Sequence, residues 1–182
     1  EIYIEPFFGA GGMFFNKQKV KYNILNDLDS DVVNLFKVVS TKKEELKQAF
    51  YEMPIHSGLL DYWKENEETD PIQKALRFLL ISNMTWLGIG DKIHLSLKNH
   101  KQPFFEMLDK TYSLIYDAQF GNYDFRDFIK SVSFRNNEEI ENTLIYCDPP
   151  YLNTSDNYSH SFTEIDSNDL LDSLQNSGCK WA

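Results

Sequence analysis

The sequence predicts an α/β fold: a doubly wound, three-layered sheet interrupted by a mainly helical insertion. Three short apolar runs, residues 2–4, 22–25 and 143–147, have the length of buried strands. A glycine-rich or polar segment follows each run, as is typical where the strands of a parallel sheet end in ligand-binding loops. With 182 residues and 42% apolar composition, the chain can bury one substantial core and carry a modest insertion.

The first predicted strand leads into a glycine-rich loop, in which Gly9-Ala10-Gly11-Gly12 follows Glu5-Pro6-Phe7-Phe8. Glycines at the carboxyl end of a strand let a ligand approach the backbone, and a helix beginning there would present free N–H groups to an anionic group. The loop lacks the dinucleotide pattern G-x-G-x-x-G, because Met13 and Phe14 stand where the last glycine is needed. Most glycine loops are only tight turns, so this loop alone leaves both interpretations open.

The second predicted strand ends at Asn26-Asp27, which places Asp27 18 residues (27 minus 9) beyond Gly9. An acidic residue about 20 residues past such a loop, at the tip of the next strand, usually holds the hydroxyls of a ribose. Together, the loop and the acid indicate a cofactor that contains adenosine.

The tetrapeptide Asp148-Pro149-Pro150-Tyr151 follows the third apolar run directly. The two prolines stiffen the backbone and remove two N–H donors, so the segment offers mainly acceptors, which suit an NH₂ group. Tyr151 adds a flat face on which a heterocyclic base can stack. These features predict a pocket for an amine on a planar ring. The alternative is a rigid strand-to-loop corner in which Asp148 bonds its own backbone.

Taken together, the motifs resemble those of the Dam-type (D12 class, alpha-group) DNA adenine-N6 methyltransferases, which use S-adenosylmethionine. The resemblance rests on the glycine loop, Asn26-Asp27 and the Asp148 tetrapeptide, and it spans the chain. It implies a Rossmann-like methyltransferase sheet. By the same resemblance, Asn122-Tyr123-Asp124-Phe125 is the segment whose acid and aromatic ring contact the adenine of the cofactor, although an ordinary strand end is the alternative. The cofactor-binding residues implied are Pro6, Phe7, Gly9, Ala10, Gly11, Asp27, Asp124, Phe125 and Asp148, and the catalytic residues are Asp148, Pro149, Pro150 and Tyr151.

This resemblance implies a site-specific methyl transfer from S-adenosylmethionine to the N6 amine of a flipped adenine in double-stranded DNA. Asp148 and the Pro149 carbonyl would bind the two N–H bonds of the amine, and Tyr151 would stack on the extruded base. Residues 152–162 either close over that base or form a surface loop. The alternatives are a methyltransferase acting on an RNA base or a protein amide, and a non-catalytic DNA- or cofactor-binding module. A metal-dependent nuclease using Asp124 and Asp148 is disfavoured, because no lysine lies between clustered acids.

The distance along the chain between Gly9 and Asp148, 139 positions (148 minus 9), exceeds what one or two strand–helix units need. We therefore expect residues 56–103 to be an inserted target-recognition region, and residues 1–55 and 104–182 to form the catalytic domain.

Within the predicted insertion, an amphipathic helix is expected from Pro71 to Trp86, followed by a turn and an alternating strand at residues 93–97. The stretch after Trp86 departs from the Asn-Gly-aromatic-Arg pattern usual in the family. The resemblance therefore implies no target sequence.

A net charge of −10 opposes affinity for a polyanion, because phosphate contacts depend on lysine and arginine. A local basic patch rather than the net charge decides this point. The candidate basic residues are Lys92, Lys98, His100 and Lys101 near the end of the insertion, and Arg126, Lys130 and Arg135 beyond it.

Two cysteines, no secretory leader and no apolar stretch near 18 residues predict a cytoplasmic protein of a bacterial or phage type, with no membrane partner. The four histidines lack metal-ligand spacing, so no metal is expected. A monomer is expected. The family has further segments before the first strand and after the last, so the chain is expected to be truncated at both ends.

Overall fold

The computed structural model describes residues 1–56, 58–84, 101–150 and 162–182. Contacts between residues divide the chain into two compact units, one formed by Glu1–Val33 with Asp117–Ala182 and the other by Asn34–Tyr116. The first unit contains the glycine loop, Asp27 and Asp148, and it therefore carries the predicted site.

The described part of the first unit contains a five-stranded parallel sheet in the order β3-β2-β1-β4-β5. Its strands are β1 (Ile2–Glu5), β2 (Tyr22–Asn26), β3 (Gln119–Gly121), β4 (Thr143–Ile145) and β5 (Lys180–Trp181). The central strand β1 places Ile4 opposite Ile24 of β2 and Ile145 of β4. The predicted α/β fold with a parallel sheet is confirmed.

Helices separate or follow these strands along the chain. Those in the described residues are α1 (Ser30–Thr41), α2 (Lys43–Glu52), α3 (Leu59–Glu65), α4 (Pro71–Met84), α5 (Lys101–Ile115), α6 (Phe125–Ser131), α7 (Asn137–Glu141) and α8 (Glu164–Ser177).

Both faces of the sheet are covered by apolar side chains of the same unit. On one face, Ile4 and Ile145 pack in a buried cluster with α6 and α8, to which Phe128 and Leu174 contribute. Tyr3 lies on the other face because successive side chains of a strand alternate, and its ring is 6.4 Å from that of the buried Phe14. This two-sided burial explains why the strands have apolar runs rather than strict alternation.

Two helices of the first unit begin at well-defined caps. The side chain of Asp124 accepts a hydrogen bond from the Arg126 N–H at the start of α6. A capping box formed by Thr163 and Asp166 starts α8, and Gly178, with φ of 70°, ends it.

In the second unit, α2 packs against α4 and α5. The ring of Phe50 lies 4.6 Å from that of Phe104, and Lys43 and Lys47 both pair with Asp109. The predicted helix from Pro71 is confirmed as α4, whose first N–H groups bond the side chain of Asp70.

Two local features considered from the sequence are not seen as regular elements in the described residues. The residues after Gly12, where the sequence is compatible with the start of a helix, form successive turns, with the Phe15 N–H bonded to the Gly11 carbonyl at 2.9 Å. The predicted strand at residues 93–97, together with Trp86, lies outside the described residues. No helix in the described ranges is long and apolar enough to cross a membrane.

Candidate active site

The predicted site residues follow the carboxyl ends of neighbouring parallel strands. Gly9 follows β1, Asp27 follows β2 and Asp148 follows β4, and β1 lies between the other two. Adjacent strands are about 4.8 Å apart, so the three loops leave the sheet at one edge. The chain order reverses between β1 and β4, which is where open α/β sheets bind their ligands.

The carboxylate of Asp27 is bonded directly to the glycine loop. Its Oδ2 accepts a hydrogen bond from the Gly9 N–H at 2.6 Å, and its Oδ1 accepts one from the Asp29 N–H at 2.9 Å. Burial raises the pKa of Asp27 above its usual value, although these backbone hydrogen bonds act in the opposite direction. The backbone N–H of Leu28 also bonds this carboxylate. An ionised carboxylate has about four acceptor positions, so Asp27 still has capacity for a ligand hydroxyl.

Both ends of the glycine loop use left-handed backbone. Gly9 has φ of 51°, and no atom of the described residues lies within 4 Å of the position a Cβ would take, so these residues leave space open beside Asp27. At Gly11, φ is 74°, and a Cβ would meet the rings of Phe15 and Phe8 at 2.5 and 2.7 Å. Ala10, between them, is exposed.

A buried amide, that of Asn26, joins the segments that follow three strands. The side chain of Asn26 is 1% exposed. Its nitrogen donates to the carbonyl oxygens of Pro6 and Tyr123, both at 3.0 Å, and its oxygen accepts the Tyr123 N–H at 3.0 Å. The Asn26 carbonyl also accepts the Phe8 N–H at 2.9 Å. One side chain therefore fixes the exits of β1, β2 and β3 together.

Phe7 and Phe125, which were predicted separately, are in contact. Their ring centroids are 5.4 Å apart, and Phe162 lies 6.0 Å from Phe7 and 6.1 Å from Phe125. Beside them, the carboxylate of Asp124 caps α6 and pairs with Arg126 at 3.1 Å. The residues that lead into the glycine loop and the Asp124-Phe125 segment are thus in contact and form one side of the candidate site.

The Asp-Pro-Pro segment leaves β4 beside the carboxyl end of β1. The Tyr146 N–H donates to the Ile4 carbonyl at 2.9 Å, which continues the strand pairing almost to Asp148. Asp148 is exposed, and Pro149 and Pro150 are half-buried. Tyr151 lies outside the described residues, as do residues 152–161 of the loop that follows it.

Sequence reasoning missed a buried acid, Glu5, in the floor of this edge. It is 2% exposed, and its Oε2 accepts a hydrogen bond from the Tyr3 hydroxyl at 2.8 Å. Burial raises the pKa of Glu5 to about 7; the Tyr3 bond and the charge of Lys17 lower the pKa, and the charge of Asp148 raises it. Burial of the Cys147 thiol, together with the nearby charge of Glu5, raises the pKa of Cys147 to about 12.

The sequence predicts two further residues of the site without the contacts that they make. Asn26 is predicted as a strand end, and Phe162 as the last residue of a segment, 152–162, that either closes over the base or forms a surface loop. The only sequence feature that could have indicated the role of Asn26 is its position at the end of an apolar strand, directly before Asp27. No local sequence feature indicated the contacts of Phe162. Within the described residues, no group of three or more histidine, cysteine, aspartate or glutamate side chains is arranged to hold a metal ion.

Comparison with known proteins gives a consistent result. A family model described as "D12 class N6 adenine-specific DNA methyltransferase" matches residues 1–180. The DNA adenine methylase of Salmonella typhi is 28% identical over 162 residues, which cover 83% of this chain and 56% of that protein. That of Escherichia coli (strain K12) is 27% identical over the same length, and that of Haemophilus influenzae is 28% identical over 160 residues, covering 81% of this chain and 54% of that protein. The chain spans little more than half the length of these relatives.

The glycine loop yields a stability prediction. Replacing Gly11 by alanine should lower the free energy of unfolding by about 2–4 kcal/mol, because left-handed strain adds to overlap with two packed rings. Gly12→Ala is the matched control, since its Cβ would meet no atom of the described part of the chain within 4 Å, and it should change stability by less than about 0.5 kcal/mol. Urea denaturation measures both, and equal losses would refute the loop geometry.

The buried acid yields a pH prediction. A glutamate whose pKa is raised from 4.5 to about 7 contributes stability that is present below about pH 4.5 and is lost as the pH rises to about 7. Glu5→Gln should remove this decline, which amounts to at most about 3 kcal/mol. Denaturation curves of both proteins between pH 5 and 8.5, with the exposed Glu141→Gln as control, provide the measurement. A decline that persists unchanged in Glu5→Gln would contradict the assignment.

Proposed function

Because the chain belongs to the D12 class of N6 adenine-specific DNA methyltransferases, we propose that the protein containing it transfers a methyl group from S-adenosylmethionine to the N6 amine of adenine in double-stranded DNA. The observation that carries this proposal is the placement of Asp27, Gly9 and Asp148 after three neighbouring parallel strands. The Asp148-Pro149-Pro150 segment, which offers hydrogen-bond acceptors, and the glycine loop with Asp27, which suits an adenosine, therefore lie at the same edge of one sheet.

The residues at this edge fit the proposed cofactor. Asp27 offers the remaining lone pairs of a half-buried carboxylate, and the open space beside Gly9 accommodates a ribose. The rings of Phe7 and Phe125 give an apolar wall beside the acid Asp124, which suits a flat base that carries an amine. When bound, S-adenosylmethionine supplies a methyl group already activated by its positive sulfur.

The protein's own task is to position and improve a poor nucleophile. The lone pair of the adenine amine is delocalised into the ring. In our proposal, the Asp148 carboxylate and the Pro149 carbonyl accept its two N–H bonds, which favours a more tetrahedral nitrogen with its lone pair toward the methyl group. Pro149 and Pro150 restrict the backbone and so hold the acceptors in place before the base arrives.

The amine of adenine is inside the duplex, so the base must leave the stack, at a cost of a few kcal/mol. We assign stacking on that base to Tyr151. The described charges around the site are mostly acidic, and phosphate contacts are therefore assigned to other surfaces of the protein. We further propose that the protein acts as a monomer in the cytoplasm, where its cysteines, free in this structure, stay reduced.

Substitution of the two acids separates transfer from cofactor binding. In the full-length protein, Asp148→Ala should abolish methyl transfer, a loss of at least about a thousandfold, while weakening cofactor binding only a few-fold. Asp27→Ala should weaken cofactor binding at least about tenfold, because it removes charge-assisted hydrogen bonds and releases the Gly9 loop. Calorimetric binding and transfer of labelled methyl groups to DNA measure the two effects.

The same assay decides among acceptors when double-stranded DNA, RNA and protein are offered in parallel. Labelling of RNA or protein in preference to DNA would overturn the assigned substrate. An Asp148→Ala protein that methylates DNA at the unchanged rate would overturn the role of the Asp-Pro-Pro corner.

A further inference from the structure

The guanidinium of Arg126 is held by three carboxylates from two parts of the fold. Its Nη1 lies 3.1 Å from Asp124, its Nε 2.7 Å from Asp169, and its Nη2 pairs with Asp166. Asp124 caps α6, whereas Asp166 and Asp169 lie in the first turns of α8. The arginine therefore connects the predicted cofactor segment to the helix that begins just after residues 152–161.

This cluster differs from an ordinary surface ion pair. The side chain of Arg126 is 28% exposed, and its guanidinium carbon lies 4.3 Å from the centroid of the Phe125 ring. Each nitrogen addresses a different carboxylate, which a planar fork of donors can do and a lysine cannot. The ring contact and the three pairs together fix the side chain in one orientation.

Two neighbours of Arg126, Asp166 and Phe125, make further contacts that fix their positions. Asp166 also accepts hydrogen bonds from the N–H and the hydroxyl of Thr163, at 2.8 and 2.7 Å, in the capping box of α8. Phe125, under the guanidinium, contacts Phe7 and Phe162. The start of α8 thus provides a fixed anchor against which Arg126 can orient Asp124.

The hydrogen bonds at Asp124 show how Arg126 can orient this carboxylate. The Oδ1 atom accepts the Arg126 N–H at 2.9 Å and the Nη1 atom at 3.3 Å, while Oδ2 accepts only Nη1, at 3.1 Å, among the described residues. Oδ2 keeps a free lone pair, and the carboxylate is 38% exposed. Without the Arg126 side chain, three carboxylates would repel one another, and Asp124 would keep only the backbone bond to its Oδ1, with nothing among the described residues to direct Oδ2.

We propose that Arg126 is a positioning residue for the adenine of the cofactor, because it holds the Asp124 carboxylate in the direction that accepts a hydrogen bond from the exocyclic amine. This inference deepens the proposed function and rests on it. A carboxylate fixed in this way selects a ring that carries an N–H donor and disfavours a ring that carries a carbonyl oxygen at the same position. Arg126 is therefore also a determinant of cofactor base specificity.

The test compares S-adenosylhomocysteine with S-inosylhomocysteine, which has a carbonyl oxygen in place of the amine and an N–H at the neighbouring ring nitrogen. Calorimetry is carried out on the full-length protein. Arg126→Gln should weaken binding of the adenosine ligand about tenfold, which corresponds to about 1.4 kcal/mol, and change binding of the inosine ligand less than about twofold. Asp169→Asn, which removes one anchor on α8, should show a smaller change in the same direction.

Further variants separate positioning from folding. Arg126→Lys keeps the charge without the fork and should recover only part of the adenosine-ligand affinity. Arg135→Gln is the matched control, because Arg135 is 75% exposed and pairs with Glu139, four residues on. It should leave both affinities unchanged. In steady state, Arg126→Gln should raise KM for the cofactor more than it lowers kcat.

The outcomes are distinct. Equal loss of both ligands in Arg126→Gln and Asp169→Asn would show a merely structural role and overturn the inference, as would affinities equal to those of Arg135→Gln. In either case a wild-type protein that binds S-adenosylhomocysteine and methylates DNA keeps the proposed function. A wild-type protein that binds neither ligand overturns the proposed function, and the inference with it.

Discussion

The buried side chain of Asn26 is the interaction on which the geometry of the candidate site depends. It bonds the backbone beyond β1 and beyond β3, while its own backbone ends β2. The strand β3 ends in Gly121, where a Cβ would lie 2.6 Å from the Asn26 oxygen, so the close approach requires a glycine. With these exits fixed, Asp27 lies where its carboxylate accepts the hydrogen bond from the Gly9 N–H.

A second constraint is electrostatic. Asp27, Asp148 and the buried Glu5 all follow or end strands at one edge of the sheet, and the chain carries a net charge of −10. Such an edge favours a cation, as the proposed cofactor is at its sulfur, and disfavours phosphate. Burial keeps Glu5 partly protonated near neutral pH, which limits the repulsion that these acids would otherwise experience.

Local patterns in the sequence were sufficient for the strands β1, β2 and β4 and for helix α4, because apolar runs and a proline at the first turn are local signals. They also located Gly9, Asp27 and Asp148 by order along the chain. The contacts that join these pieces are not local: Asn26 and Tyr123 are 97 residues apart, and Arg126 and Asp169 are 43 apart. No periodicity encodes such pairs. The turns after Gly12 could not be predicted, because the apolar residues that follow it, Met13, Phe14 and Phe15, are compatible with either a helix or packed turns. The predicted recognition region, residues 56–103, falls inside the second unit, Asn34–Tyr116, and its boundaries stay a prediction.

A crystal structure of the full-length protein with S-adenosylhomocysteine bound tests the proposed site most sharply. We expect ribose hydroxyls about 3 Å from the Asp27 carboxylate, the adenine against Phe125 with its amine at Asp124, and the sulfur facing Asp148 across the ends of β1 and β4. A ligand bound elsewhere, or a sulfur on the opposite side of the sheet from Asp148, would contradict this expectation.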